Sequence, residues 1–213
     1  MTSFWVWGVA LVLYGLFLAW YVNWRGPLSA AETTQVLQKV SVSLGDGGDR
    51  NDLGVLKAFL EADDGREFYM LNVIRFAAEP VADPVTGELK PAREVMNGYT
   101  RMFLPSLLLL AGHPAFAARK IGGFVDTWGM EPGPDWSMIG YMRYRSRRDL
   151  ARMVVNPRFS GAHDFKYAAM PQTFNFPTRP MIMTLANPRI WMGLSLALAA
   201  ALAQIALLLA QTL

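Results

Sequence analysis

The chain contains no cysteine, so disulfides and thiolate metal sites are excluded, although this says nothing about compartment. It has only two histidines, His113 and His163, and no His, Cys or carboxylate spacing typical of a metal motif, so no bound metal is expected. It also has no glycine-rich phosphate loop, nucleophile elbow or dinucleotide fingerprint, and no cofactor is expected. The net charge of +3 is too small and too evenly mixed to point to nucleic acid.

The most informative absence is of charge at the two ends. Residues 1–24 contain no Asp, Glu, Lys or Arg, and neither do residues 190–213. All 20 Lys and Arg and all 17 Asp and Glu lie between Arg25 and Arg189. The apolar run from Phe4 to Val22 gives about 28 Å of helix, against a hydrocarbon core of about 30 Å. Trp5 and Trp7 at one end, with Trp20, Tyr21 and Trp24 at the other, form aromatic belts. The run from Ile190 to Ala210 is rich in Leu and Ala and begins beside Trp191. A cleaved signal peptide would need a positive leading segment and small residues at the cleavage site, and this end has neither. The expected organisation is a first transmembrane helix (1–24), a connector (25–51), a soluble domain (52–180), a second connector (181–189) and a second transmembrane helix (190–213). Arg25, Arg179 and Arg189 lie on the inner side of the runs, and the outer tails carry no Lys or Arg. The positive-inside rule then places the domain in the cytoplasm.

Within the connector, Gly26-Pro27 stops the first helix, Ala30–Val42 suits a short helix and Gly45–Asp49 is a break. Asp52–Ala62 has a helical apolar face, and Phe68–Phe76 has the aromatic and β-branched content of a strand. Asp83–Gly87 is a turn in a polar loop. Ala92–Ala111 is the longest helix of the domain, with Tyr99, Phe103, Leu107 and Leu110 on its core stripe. Pro105 predicts a kink in it, and Gly112 a C-terminal cap. Leu104, Leu108 and Leu109 form a second apolar face that needs a partner or lipid. His113 is expected in a loop. Strands are predicted over Pro114–Thr127 and Trp136–Tyr144. Ser146 to Asp149 fits a capping box that starts a helix ended by Asn156-Pro157. Ser160–Met170 is another helical piece, and Phe174–Phe176 a last short strand. The order strand, helix, strand, strand, helix, strand predicts an α+β, ferredoxin-like domain with a four-stranded antiparallel sheet. One sheet face then lacks cover, and face-to-face pairing of two sheets would bury it.

Asp63-Asp64-Gly65 followed by Met70–Phe76, Tyr99 with Arg101, Pro105 with Gly112, Tyr144–Leu150 with Met153, Asn156-Pro157 and Phe159, and finally His163, Phe165, Lys166 and Ala168-Ala169 carry a resemblance. From about Asp52 to Pro180 the chain resembles the bacterial domains of unknown function numbered 1330, of the dimeric α/β-barrel superfamily. The resemblance implies that fold, a homodimer and a bacterial, hence inner-membrane, setting. It implies no settled activity, because relatives in the superfamily include cofactor-free monooxygenases, lactone isomerases and haem-handling enzymes. The two flanking apolar runs are a departure from the usual members.

Asn72, Tyr99 and His163 are the candidates for chemistry. Asn72 could orient a carbonyl, although an amide satisfied by neighbouring backbone is the commoner case. Tyr99 could donate to a substrate oxygen, or be a core aromatic with its hydroxyl paired. His163 could serve as a general base or an axial haem ligand. Arg75, Arg143 and Lys166 are candidates for ligand binding. Asn72 and Arg75, three apart, fall on opposite strand faces. Arg143, Arg145, Arg147, Arg148 and Arg152 form a basic cluster expected to be solvated or to face lipid. Gly193, Ala197 and Gln204 suit close packing of the last helix, with a plain lipid-facing anchor as the alternative. The expected function is an accessory or interaction subunit in the bilayer, partnered by its own copy or by another membrane protein. The alternative is a membrane-tethered, cofactor-independent enzyme, or a binding protein, for an apolar small molecule.

Overall fold

The structure is a computed structural model and describes residues 3–44, 53–129, 133, 135–156, 159, 161–181 and 187–212. In chain order its elements are α1 (Ser3–Tyr21), α2 (Ala30–Leu44), α3 (Leu53–Glu61), β1 (Phe68–Arg75), β2 (Val81–Ala82), β3 (Leu89–Lys90), α4 (Ala92–Leu109), β4 (His113–Arg119), β5 (Met138–Tyr144), α5 (Arg147–Val154), α6 (Ala162–Ala169), β6 (Gln172–Thr178) and α7 (Pro188–Thr212). The predicted break at Gly45–Asp49 lies outside the described residues. Two compact units result: residues 1–24 with 180–213, and residues 25–179.

In the first unit, α1 and α7 pack on each other, and both are long and apolar enough to cross a membrane. Trp7 Nε1 donates to Gln204 Oε1 at 2.6 Å, and the Tyr14 hydroxyl donates to the Arg189 carbonyl at 3.2 Å. A Cβ on Gly193 would lie 3.5 Å from the Tyr14 ring, so the small residue allows this approach. Gly193, Leu196, Ala200 and Gln204 form the less exposed stripe of α7. Ala197 corrects an expectation: it points outward, and Ala200 is the buried alanine.

The second unit is α+β. Its four-stranded sheet has the order β4-β5-β1-β6, with every neighbouring pair antiparallel. Phe68 and Tyr144 are register partners, and their rings stack at 5.2 Å. On the same face they meet Phe103 and Leu107 of α4, Met153 of α5, Ala162 of α6 and Phe159 from the segment between α5 and α6. Leu107 is completely buried, which is worth about 1.5–3 kcal/mol by the area it removes from water. Leu104, read as part of a second apolar face, packs against this core instead, while Leu108 and Leu109 remain exposed. The helix runs through Pro105 without interruption.

Several boundaries depart from the sequence reading for local reasons. The polar loop around Asp83–Gly87 is a small hairpin of β2 and β3. β4 begins at His113, not after it, because His113 pairs with Arg143. It ends at Arg119, well short of Thr127. Gly122 and Gly123 offer no side chains to pack there, and glycine is a weak strand former. β6 is longer than predicted and passes through Pro177. That is possible because β6 is the sheet edge, where a missing N–H costs little.

Candidate functional site

The strand alternation sorts the candidates. Phe68, Met70 and Ile74 of β1 pack into the helix-side core clusters, so Asn72 shares that face and Arg75 the other. The Asn72 amide donates to the Met70 carbonyl at 3.0 Å and the Gly140 carbonyl at 3.4 Å, the backbone-satisfied arrangement. Arg75 reaches across to the sheet edge and donates to Gln172 Oε1 at 2.9 Å.

Tyr99, His163 and Lys166 are brought together where α4 meets α6. Gly98 makes the approach possible, since a Cβ there would fall 2.3 Å from the Phe165 ring. Tyr99 stacks on Phe103 at 5.3 Å, and the His163 ring lies 5.9 Å from that of Tyr99. His163 also stacks on Tyr167 at 5.9 Å. Lys166 Nζ sits 5.8 Å from the Tyr99 ring centroid. Burial raises the Tyr99 hydroxyl well above its ordinary pKa, with a smaller contribution from Tyr167. Burial likewise raises Tyr144. Burial lowers Lys166. His163 is lowered first by burial and then by the Lys166 charge. At neutral pH the cluster therefore holds a neutral Tyr99 and a histidine biased to its neutral form. Such a set can donate to, or accept from, an oxygen of a largely apolar molecule. Asn72 is not part of it, being tied to strand backbone.

The basic cluster is the clearest correction. Arg143, a sequence candidate for ligand binding, is 0% exposed and pairs with Glu67 at 2.5 Å through Nη2. Its Nε donates to the same carboxylate at 2.9 Å, and its Nη1 to the Ala111 carbonyl. Arg148 is also buried: it donates to Gly26 and Pro27 carbonyls at 3.0 and 2.9 Å and pairs with Glu32 at 3.1 Å. Arg145 grips buried Asp149 through two hydrogen bonds of 2.8 and 3.0 Å. Arg147 pairs with Asp63 at 3.5 Å and lies 4.3 Å over the Phe59 ring. Only Arg152 keeps the exposed, solvated character expected of the group. These guanidiniums hold the fold together. Removing one partner of the buried Arg143–Glu67 pair costs about 3–5 kcal/mol. The acid partners of Arg143, Arg147 and Arg148 lie far away in sequence, and only the local Asp149 belongs to a pattern that the sequence shows, the capping box: Ser146 Oγ accepts from the Asp149 N–H at 3.2 Å.

Sequence reasoning missed an open groove of about 410 Å³ between the start of α4 and the β4–β5 connection, with Arg93, Arg119 and Lys120 in its wall. The signal was present as Arg119-Lys120 followed by Gly122-Gly123, but it was absorbed into an overlong strand.

No protein-family model and no curated protein matches the chain. Two crystal structures share the fold. One is RPA0582, a protein of unknown function from Rhodopseudomonas palustris, at 20% identity and TM-score 0.50, covering 62% of this chain and 96% of that one. The other is methylated RPA0582, at 20% identity and TM-score 0.52, covering 65% and 98%. The chain is thus similar in fold to an uncharacterised protein.

Proposed function

We propose that the chain is a two-pass protein of the bacterial inner membrane whose central domain faces the cytoplasm and serves as an interaction subunit, pairing through its open sheet face. The sheet order β4-β5-β1-β6 supports a ferredoxin-like domain, and with the motifs described above it supports a place among the dimeric α/β-barrel, DUF1330-like proteins. One observation carries the reading. Leu71, Tyr141, Phe116, Phe174 and Phe176 share the sheet face opposite the helices, by register. Phe116, Phe174 and Phe176 are 47%, 45% and 46% exposed. An aromatic sheet face of this kind is a partner surface rather than a solvent surface. The partner is a second copy or another membrane protein.

A second reading is a membrane-tethered, cofactor-independent enzyme, or a binding protein, for an apolar small molecule. It is favoured by the meeting of Tyr99, His163 and Lys166 between α4 and α6. The test is the mass and composition of the tagged protein after extraction in mild detergent. A self-dimer or a stoichiometric second protein is the expected result. A monodisperse monomer sinks the pairing reading, and a monomer carrying a co-purified apolar molecule moves the assignment to the second.

A further inference from the structure

The β4–β5 connection carries an unusual surface. Ile121, Phe124, Val125 and Trp128 lie in eight consecutive residues and are 93%, 51%, 103% and 81% exposed. Solitary exposed apolar side chains are ordinary, but four large ones on one loop are not. The loop springs directly from the groove noted above. Arg119 and Lys120 enter from the end of β4, and Arg93 from the first turn of α4. Among the described residues Asp135 is the one carboxylate in the groove wall, and it is ion-paired with Lys120. The Arg93 guanidinium lies 4.9 Å over the Phe76 ring, a contact that orients it without neutralising it. Among the described residues neither Arg93 nor Arg119 has a carboxylate partner. The floor is fixed: the Ser137 hydroxyl accepts from the Phe76 N–H at 3.0 Å, and the Ser137 N–H donates to the Ile74 carbonyl at 2.7 Å. A Cβ on Gly122 or Gly123 would meet no atom, so packing does not require glycine there, and the rim is left without side chains.

We propose that this connection is a bilayer-contacting element: the groove receives the phosphate of an anionic phospholipid headgroup, and Ile121, Phe124, Val125 and Trp128 enter the acyl boundary beside it. The charge complementarity selects the occupant. Two unneutralised guanidiniums next to an aromatic and aliphatic tip match a membrane interface, where the phosphate layer lies directly above hydrocarbon. A protein partner would have to place carboxylates beside an apolar pocket to answer both features, whereas a lipid interface presents phosphate and hydrocarbon together everywhere. The inference rests on the reading of α1 and α7 as membrane spans; the chain enters the domain at Gly26, bonded to Arg148, and leaves it beside Tyr69, at the other end of the sheet from this loop, so the contact requires the sheet to lie along the bilayer surface.

The experiment uses the full chain in nanodiscs, with phosphatidylcholine alone or mixed with phosphatidylglycerol, each with and without brominated acyl chains. The contribution of Trp128 is isolated by subtracting the Trp128→Phe signal. In phosphatidylglycerol discs bromination should quench the Trp128 contribution at least twofold, and less in phosphatidylcholine. Arg93→Gln with Arg119→Gln should abolish that lipid preference, Arg119→Lys should retain part of it, and Arg152→Gln on an exposed helix face should leave it intact. Trp128 emission equal with and without bromine overturns the proposal, as does a preference that survives the double substitution. Four of the six remaining tryptophans keep the two readings apart. Trp5, Trp7, Trp20 and Trp191 belong to α1 and α7, so loss of their quenching sinks the spans themselves, whereas loss at Trp128 alone sinks only this element.

Discussion

The turn after α4 shows how a single residue can sit where its type is least suited. Ala111 has φ of 56°, the left-handed region. Its N–H donates to the Leu108 carbonyl at 2.9 Å, and the Gly112 N–H to the Leu107 carbonyl at 2.8 Å. This is a Schellman termination, with Ala111 in the position that glycine usually takes. Ala111→Gly should therefore raise stability by about 0.4–1 kcal/mol, read as a shift in a reversible denaturation midpoint. Gly112 serves a different need. A Cβ on it would lie 2.4 Å from Leu107 Cδ1 and 2.7 Å from the Arg143 carbonyl, so Gly112→Ala should destabilise in the same assay. The sequence reading put Gly112 at the cap because glycine is the usual left-handed residue. It was one position out, because the demand on Gly112 is for space and arises from β5, which no local pattern reveals. The same limit applies to Arg143 and Arg148. Clustered arginines read as a solvated face, whereas their partners Glu67 and Glu32 are known only once the chain has folded.

At the scale of elements, helices with strong periodicity were legible, and the strand that ran into glycines was not. α2 was anticipated, but the reason it stays docked was hidden. Its Glu32 pairs with Arg148 of α5, while Leu28 and Gly65 backbone amides both bond Asp63. The Arg148 hydrogen bond, followed by the Ser29 N–H, holds the Glu32 carboxyl down to about 2 from the usual 4.5. A depressed carboxyl contributes its stabilisation above the unfolded value and loses it as pH falls through the folded one. Docking of α2 should thus be constant above about pH 5 and weaken progressively between about 4.5 and 2. Amide exchange over Ala30–Leu44 would report this as protection lost in that window. Glu32→Gln should remove most of the pH dependence and lower the protection seen at neutral pH. Unchanged acid sensitivity in that variant would assign the loss to another carboxyl.

At the scale of the whole molecule, the sequence already argued that a four-stranded sheet with helices on one side must hide its other side. It did not say which residues would be involved, because face assignment depends on register, and the short Phe174–Phe176 motif gave no hint that β6 pairs with β1 from Tyr69 to Arg75. Apart from the β4–β5 loop, two apolar surfaces of the domain are candidates for the proposed interface: the sheet face of Phe116, Phe174 and Phe176, and the outer α4 face of Leu108 and Leu109. They differ in what a partner could gain. The sheet face is rigid, ladder-bonded and aromatic: Phe174 and Phe176 stack on each other at 6.1 Å, and Trp136 packs edge-on to Phe174 at 5.1 Å. Little side-chain entropy remains to be lost there on binding, whereas two leucines near a helix end offer less area and more freedom. Phe174→Lys with Phe176→Lys should therefore abolish association of the detergent-solubilised chain, read by light scattering as a fall to the monomer mass. Both side chains are nearly half exposed, so the monomer should keep its helical signal. Leu108→Lys with Leu109→Lys should leave the assembly intact. The opposite pattern would move the interface to α4, and the sheet face would then need a different cover.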